Sequence, residues 1–184
     1  MDRRTKRTRH ALCSALLRML TQRAWEEIDV QSLCDVANVG RSTFYEHFQN
    51  RELLLQLCFS DILRGFAETG AARQTCGEYS QGTLAFVAPL IEHIGEQRAI
   101  FRALLGKRSN GYVRQQFQAT LVELVRAELN RRALRPAWRA DALAHAMAGA
   151  IFSTIHWWVS GNQPRRADEV VALIDSQSQA MITP

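Results

Sequence analysis

The chain has 184 residues, of which 47% are hydrophobic and 22% are charged, so it can bury a core without disulfide or metal crosslinks. No apolar run is long enough to span a bilayer and the charged N-terminus lacks a signal-peptide pattern, so we expect a cytoplasmic protein. A formal net charge of +5 favours an anionic partner.

The first ten residues are strongly basic, with only Asp2 as a counter-charge. Such a run is either a solvated tail or an arm that follows a DNA backbone or enters its minor groove. We take Arg4, Lys6 and Arg7 as candidate DNA contacts. An apolar stripe at helical spacing follows and predicts a first helix that packs over the next two. The stripe comprises Leu12, Cys13, Leu16, Leu17, Met19 and Leu20.

Two short helices joined by a tight turn are predicted between Val30 and Phe48. The first has apolar residues at intervals of three and four, and Asp29 caps its first turn. Asn38 and Gly40 end it, because Asn tolerates the left-handed region and Gly lets the backbone turn without a side-chain clash. This pattern predicts a helix-turn-helix, whose second helix enters the major groove of DNA.

The second helix of this motif carries Phe44 and Phe48 one turn apart on its buried side. Gln31 and Ser32, near the start of the preceding helix, are candidates for contact with the DNA backbone. Glu46 either accepts a hydrogen bond from a cytosine amino group or faces solvent, and we favour solvent. The candidates for contact with bases or phosphates on the outer side are Arg41, Ser42, Thr43, Tyr45 and His47.

The segment from Asp29 to Leu54 resembles the N-terminal DNA-binding segment of the TetR/AcrR family of bacterial transcriptional regulators. The matching runs are Ser42-Thr43-Phe44-Tyr45, His47-Phe48 and Arg51-Glu52-Leu53-Leu54. The rest of the chain matches only in length and helical character. The resemblance implies an all-α fold of about nine helices, with a three-helix DNA-binding head and a helical body that binds an effector and dimerises. We place the head at residues 1–50 and the body at residues 51–184.

Asn50 can cap a helix that opens at Arg51. Arg51 is then either a solvated first-turn residue or a phosphate contact at a helix N-terminus. We favour the phosphate contact, because its position three residues after Phe48 matches the basic residue that contacts phosphate in the family.

The four cysteines are widely separated, and no CxxC or CxxH unit suggests a zinc site. Cys13, Cys34 and Cys58 fall in predicted helices, where a free Cys behaves as a small apolar residue. A redox sensor would instead need an exposed thiolate of low pKa. We expect buried or incidental thiols, no metal and no cofactor.

The composition between Gly70 and Gly82 predicts a loop. Further helices follow; Pro89 either kinks one of them or marks its true start, and Arg98–Leu105 forms a short one. The turn-rich stretch Gly106–Gly111 is not a nucleotide-binding loop, because no strand precedes it and the Gly spacing is wrong.

The helix predicted from about Ala137 to Ser160 is nearly uncharged at its centre and carries rows of small residues that let another helix approach closely. In the family resemblance, the last two helices pair with their copies in a four-helix dimer interface. The internal core of a monomer is the alternative explanation. The residues assigned to this interface are Ala146, Ala150, Ile151, Thr154, Trp158, Val171 and Ile174.

The resemblance also implies an effector pocket in the body. Aromatic and soft side chains of the middle helices are candidates for lining it, and plain core packing is the alternative for each of them. His93 and His145 are further candidates for a polar anchor. The assigned lining residues are Phe86, Phe101, Phe117, Met147, Phe152, His156 and Trp157.

These patterns predict a sequence-specific DNA-binding regulator, a dimeric repressor of a palindromic operator that a small apolar effector releases. The alternative is a DNA-binding regulator without a small-molecule effector, controlled by a protein partner or constitutive. An enzyme is disfavoured, because the sequence has no nucleophile elbow, HExxH unit or phosphate loop.

Overall fold

The computed structural model describes residues 3–75, 84–105, 111–131, 137–162 and 165–182. Within these ranges it has nine α-helices and no strand, which confirms the predicted all-α fold. A short 3-10 helix, Trp25–Glu27, lies between the first two α-helices. The α-helices are α1 (Arg3–Leu20), α2 (Val30–Ala37), α3 (Arg41–His47), α4 (Arg51–Thr75), α5 (Val87–Glu96), α6 (Arg98–Leu105), α7 (Gly111–Arg131), α8 (Ala137–Ser160) and α9 (Ala167–Ile182).

The head core forms where the apolar stripe of α1 packs against α2 and α4. Leu12 and Leu16 are fully buried, as are Leu33 of α2 and Phe44 of α3. Trp25 and Ile28 are buried as well and close this core from the side of the 3-10 helix. Two helices as short as α2 and α3 owe their stability to this packing rather than to intrinsic helix propensity.

The helix α4 joins the head to the body and is longer than its sequence suggests. The predicted loop beginning at Gly70 is wrong for its first residues, because α4 continues to Thr75. The reason is tertiary: Gly70 is buried against the backbone of Ala85, and a Cβ built on Gly70 would lie 1.8 Å from that carbonyl oxygen. The remainder of the predicted loop, with Cys76 and Gly82, lies outside the described residues.

The body surrounds the far half of α4 with five further helices. α5 begins at Val87 with Pro89 in its first turn, so the proline marks the helix start and causes no kink. α7 lies along both α4 and α8, while α9 packs on α5 and α8. The turn-rich stretch before Gly111 lies outside the described residues.

Head and body share one continuous hydrophobic core. At their junction the ring of Trp25 stacks on that of Tyr112 in α7, with the ring centroids 5.3 Å apart. Burial at this junction raises the pKa of the Tyr112 hydroxyl, and the nearby Glu52 carboxylate acts in the same direction. The division at residue 50 therefore stays a prediction.

Two of the cysteines form a disulfide, so the prediction of incidental thiols is wrong for them. Cys13 in α1 and Cys58 in α4 are bonded, with their Cα atoms 5.5 Å apart. The spacing in sequence concealed this pair, because its members are 45 positions apart and meet only where α1 crosses α4. Cys34 is free and buried as predicted, and burial raises the pKa of its thiol.

None of the described helices combines the length and the apolar character that crossing a membrane requires. Across the same part of the chain, no three His, Cys, Asp or Glu side chains converge as metal ligands would.

Candidate DNA-binding site and effector cavity

The turn between α2 and α3 has the local structure that its residues predict. An Asp29 carboxylate oxygen accepts a hydrogen bond from the Ser32 amide at 2.7 Å, which caps α2 and lowers the pKa of Asp29. Asn38 ends the helix in the left-handed region, at φ 52° and ψ 49°. Gly40, by contrast, has an ordinary extended conformation, so the predicted need for glycine at this position is wrong.

The short helix α3 is held from below by two aromatic side chains. Phe44 and Phe48 are buried with ring centroids 5.7 Å apart, and the first of these rings meets Tyr45 edge-on at 5.4 Å. This anchoring fixes which side of α3 faces outward. Arg41 and Tyr45 lie one turn apart on that outward side.

The candidate contact residues of α3 differ in exposure. Arg41, Ser42 and Tyr45 are exposed, and Tyr45 keeps 52% of its surface accessible despite its aromatic ring. Thr43 and His47 are half-buried one turn apart on the flank of the helix. The outward side thus combines a guanidinium, a hydroxyl and an amphipathic ring, which are groups that bind base edges and phosphates.

Gln31 and Ser32 make local hydrogen bonds within α2. The Gln31 amide donates to the Asp35 carboxylate at 2.8 Å, and the Ser32 hydroxyl donates to the Asp29 carbonyl at 3.1 Å. Ser32 therefore stabilises the start of α2, a role that the sequence interpretation missed although the Asp-x-x-Ser spacing contains it. Contact of both side chains with a DNA backbone stays a prediction.

The basic run at the N-terminus is helical from Arg3 onward rather than an extended arm. Arg4, Lys6 and Arg7 are exposed on the first turns of α1, so they offer cations from a helix surface, and their contact with DNA stays a prediction. Arg9 differs from them, because its guanidinium lies 5.8 Å from the centre of the Phe48 ring and thus packs on the head.

Arg51 binds the head itself, and the phosphate contact that we favoured stays a prediction. Its guanidinium donates to the carbonyl oxygen of Trp25 at 2.7 Å and to that of Ile28, and it lies 4.4 Å from the centre of the Trp25 ring. Glu52 pairs with it from the same turn. A side chain with these partners joins α4 to the segment between α1 and α2. Sequence could not reveal this, because the partners are backbone atoms more than twenty positions away.

Replacing Arg51 with Ala is therefore expected to destabilise the fold by about 2 kcal/mol, since two carbonyl groups lose a charged donor. Arg64→Ala provides a control in the same helix, because its exposed pair with Asp61 should contribute less than about 1 kcal/mol. Urea unfolding measures both. Unchanged stability of Arg51→Ala with a loss of DNA affinity would contradict the structural role.

A cavity of about 340 Å³ lies between α1 of the head and helices α4 to α7 of the body. Its walls are mainly apolar, with Phe59, Leu63 and Leu104 among them. The polar residues of its lining are Ser14, Arg18, Thr21, His93 and Gln97. A volume of this size with few polar groups suits a small, largely apolar molecule.

The structure brings only some of the predicted pocket residues together. Phe101, Phe117 and His93 line the cavity. Phe86, Met147 and Phe152 are instead buried among other core residues, and the ring of His156 stacks beside that of Phe152. Trp157 and His145 lie on the outer surface of α8, so assigning the tryptophan to the pocket was wrong. These errors share one cause: apolar character does not show which neighbour a helix face meets.

The contribution of α1 to this cavity was missed. Leu17, Arg18 and Thr21 line it from the head side. The available signal was the width of the apolar stripe on α1. A stripe that includes both Cys13 and Leu17 is wider than contact with two short helices requires.

The residues assigned to the dimer interface also separate into two groups. Ala146 is exposed, and Ala150 and Val171 are half-buried. Ile151, Thr154, Trp158 and Ile174 are buried within the single chain, so for them the structure favours the alternative explanation, the internal core, over the dimer interface. Trp158 donates from its indole nitrogen to the Arg165 carbonyl at 3.0 Å, so it helps to hold the segment before α9.

The outer side of α8 carries small residues between two exposed tryptophans. Trp138 and Trp157 are 73% and 54% exposed and mark the two ends of this stripe. Between them lie Ala142, Ala146 and Ser153 at helical spacing, all exposed. Ala172, Leu173 and Ser176 are exposed on the neighbouring α9. Small side chains at these intervals allow close approach of another helix.

No family model matches the chain. An uncharacterised HTH-type transcriptional regulator of Bacillus subtilis (strain 168), YxbF, is 40% identical over 57 residues. This match covers 30% of the chain and only 15% of that protein.

Solved structures match over nearly the whole chain. A TetR transcriptional regulator from Streptococcus agalactiae 2603V has a TM-score of 0.64 at 21% identity, covering 96% of each chain. The TetR-family repressor FadR of Thermus thermophilus, in complex with lauroyl-CoA, has a TM-score of 0.58 at 18% identity, covering 96% of this chain and 95% of its own. RolR in complex with resorcinol has a TM-score of 0.54 at 16% identity, covering 100% of this chain and 97% of its own.

Two of these neighbours are described as regulators of transcription rather than as enzymes, in agreement with the lack of catalytic motifs in the sequence. The chain has the fold of the TetR-family transcriptional regulators, which confirms the resemblance that its N-terminal segment carries.

Proposed function

We propose that the protein is a sequence-specific DNA-binding transcriptional regulator that acts in the cytoplasm. The observation that carries this proposal is the outward side of α3, where Arg41, Ser42 and Tyr45 are exposed above a fixed aromatic base. A helix of this size fits the major groove, and its rigid mounting lowers the entropic cost of binding. The cations of the first turns of α1 add attraction to phosphates.

The proposed assembly is a homodimer in which α8 and α9 pair with their copies. The support is the exposed stripe between Trp138 and Trp157, which no part of the described chain covers. Two heads about 34 Å apart would read successive major grooves, so the preferred site should be a palindrome. Repression by competition for that site follows as the simplest mode of action.

The proposed effector has an apolar body and one polar or anionic group. Support comes from the cavity between α1 and α4 to α7, whose lining combines aromatic side chains with Arg18, His93 and Gln97. Two of the structural neighbours are complexes with lauroyl-CoA and resorcinol. Because α1 belongs to the head and supplies one wall, an occupant would contact head and body together. If the effector bound one position of the head more tightly than another, its binding would shift the protein toward that position and so control DNA binding.

Selection from random duplex DNA tests the DNA-binding function. We expect an enriched palindrome. Affinity for it should fall by about a thousandfold between roughly 50 and 200 mM salt, because the basic side chains release counterions from the DNA when they bind its phosphates. Replacing both Lys6 and Arg7 with Ala should make the affinity less dependent on salt and should weaken binding to all duplexes about equally. No enriched sequence, or an affinity that is independent of salt, would contradict the proposal.

A regulator without a small-molecule effector is the second candidate. In that case the same cavity is a gap in the packing of the core and binds no ligand. Thermal unfolding against a panel of aromatic acids, fatty acids and acyl thioesters separates the two. Stabilisation by one class supports an effector. No shift from any compound, with DNA affinity intact, supports control by a partner protein or constitutive binding.

A further inference from the structure

The disulfide joins the head to α4, the helix that connects the head with the body. Cys13 belongs to α1 and Cys58 to α4. Cys58 is only 1% exposed, whereas Cys13 is half-buried. The two residues thus differ in exposure, an arrangement that lets Cys13 meet an external reagent while Cys58 completes the bond.

The bond also lies next in sequence to residues that line the cavity described above, Ser14 in α1 and Phe59 in α4. Leu17 follows Cys13 by one helical turn, and Ile62 follows Cys58 by one turn, and both of these residues line the cavity. The disulfide therefore holds together two of the helices that line the cavity. Separation of α1 from α4 at this point requires the bond to be broken.

We propose that Cys13 and Cys58 form a reversible redox site that a hydroperoxide oxidises and a small thiol such as glutathione reduces. The argument rests on the regulator function proposed above, because such a protein works beside DNA in the cytoplasm. Disulfides in that compartment are usually transient, redox-sensing or catalytic rather than permanent. The redox site borders the effector cavity but differs from it, because the redox site forms a covalent bond whereas the cavity would bind a ligand non-covalently.

The reaction balances with one peroxide per chain. The Cys13 thiolate attacks the peroxide O–O bond, which gives a sulfenic acid on Cys13 and releases water after proton uptake. The Cys58 thiol then attacks the Cys13 sulfur, forms the S–S bond and releases a second water. In reduction, a glutathione thiolate attacks the Cys13 sulfur and expels the Cys58 thiolate, and a second glutathione resolves the mixed disulfide to glutathione disulfide.

Oxidation restrains the head on α4. Arg51 already binds the Trp25 and Ile28 carbonyl groups at the start of this helix, and the disulfide adds a second attachment two turns further along. A head held at two points has less freedom to lose when it binds DNA. We expect the oxidised protein to bind its operator about fivefold more tightly than the reduced protein.

Thiol counting on the full chain tests the chemistry without DNA. Hydrogen peroxide at low excess should remove two free thiols from the reduced protein, and dithiothreitol should restore them. Cys58→Ser should trap a dimedone adduct on Cys13, while Cys13→Ser should give none at Cys58. Cys34→Ser, a control in the same head, should lose two thiols as the parent does. Unchanged thiols, or equal labelling of the two serine variants, would overturn the redox site.

Operator affinity tests the consequence. The parent should bind about fivefold more tightly after oxidation, and Cys58→Ser should show no such change. Two thiols lost with identical affinity in both states would reduce the disulfide to a structural crosslink and overturn its regulatory role. If no duplex is bound in either state, the proposed function fails, and the thiol counts alone decide whether the redox site exists.

Discussion

Gly70→Ala is expected to destabilise the protein by about 3 kcal/mol and to lower its melting temperature by roughly 10 °C. The added methyl would lie 1.8 Å from the Ala85 carbonyl oxygen and 2.5 Å from its carbon. Both are backbone atoms, so neither can rotate away as the end of a side chain can. α4 would have to move away from the segment that leads into α5, and buried contacts of the body would be lost.

Gly65→Ala is the matched control for this prediction. It lies five residues earlier in α4, and nothing comes within 4 Å of a Cβ placed there. The same change should therefore stabilise the protein by about 0.5 to 1 kcal/mol, because Ala loses less backbone entropy than Gly in a helix. Urea unfolding of both variants separates the effects. Equal stabilities would mean that α4 and Ala85 are not in close contact.

Tyr45→Ala is expected to weaken specific operator binding by about a hundredfold in a dimer, because each half-site loses a base or phosphate contact. The side chain is 52% exposed, and its ring meets that of Phe44 edge-on. The loss of stability should therefore remain below about 1 kcal/mol. Fluorescence anisotropy with the selected operator and circular dichroism of the free protein measure the two quantities.

Three controls define what Tyr45 contributes. Glu46→Ala changes the adjacent exposed residue and should leave affinity nearly unchanged or slightly raised, since a negative charge beside the groove is removed. Tyr45→Phe isolates the hydroxyl. Phe44→Ala removes a fully buried ring and should cost about 3 to 4 kcal/mol, which unfolds the head. Loss of helicity in Tyr45→Ala would assign a structural role to this residue and remove it from the DNA-binding surface.

The head was predictable because its signals are local. Asp29 and Asn38 act through atoms within a few residues of themselves, and Phe44 and Phe48 follow the period of a single helix. The exposed side of α3 follows from that period as well. By contrast, the partners of Arg51 are carbonyl groups on a separate segment, so the same sequence reading assigned its side chain to DNA.

In the body, sequence determined the helices and their class, while the tertiary structure decided which faces meet. The bounds of Arg98–Leu105 are those that the apolar spacing predicts. That spacing cannot show that Trp157 faces outward, that Ile151 and Ile174 are covered by their own chain, or that Leu17 reaches a cavity in the body. A period of 3.6 residues identifies the buried side of a helix but not the neighbour that buries it.

What the sequence determined by itself was an all-α chain with a helix-turn-helix near its N-terminus, because capping, turn formation and amphipathic spacing act over a few residues. Only the tertiary structure decided the Cys13–Cys58 bond, the close contact of Gly70 in α4 with the Ala85 backbone, and the hydrogen bonds of Arg51 to the head. Each of these depends on two segments far apart in the chain. Their meeting is set by the packing of the whole core rather than by any local pattern.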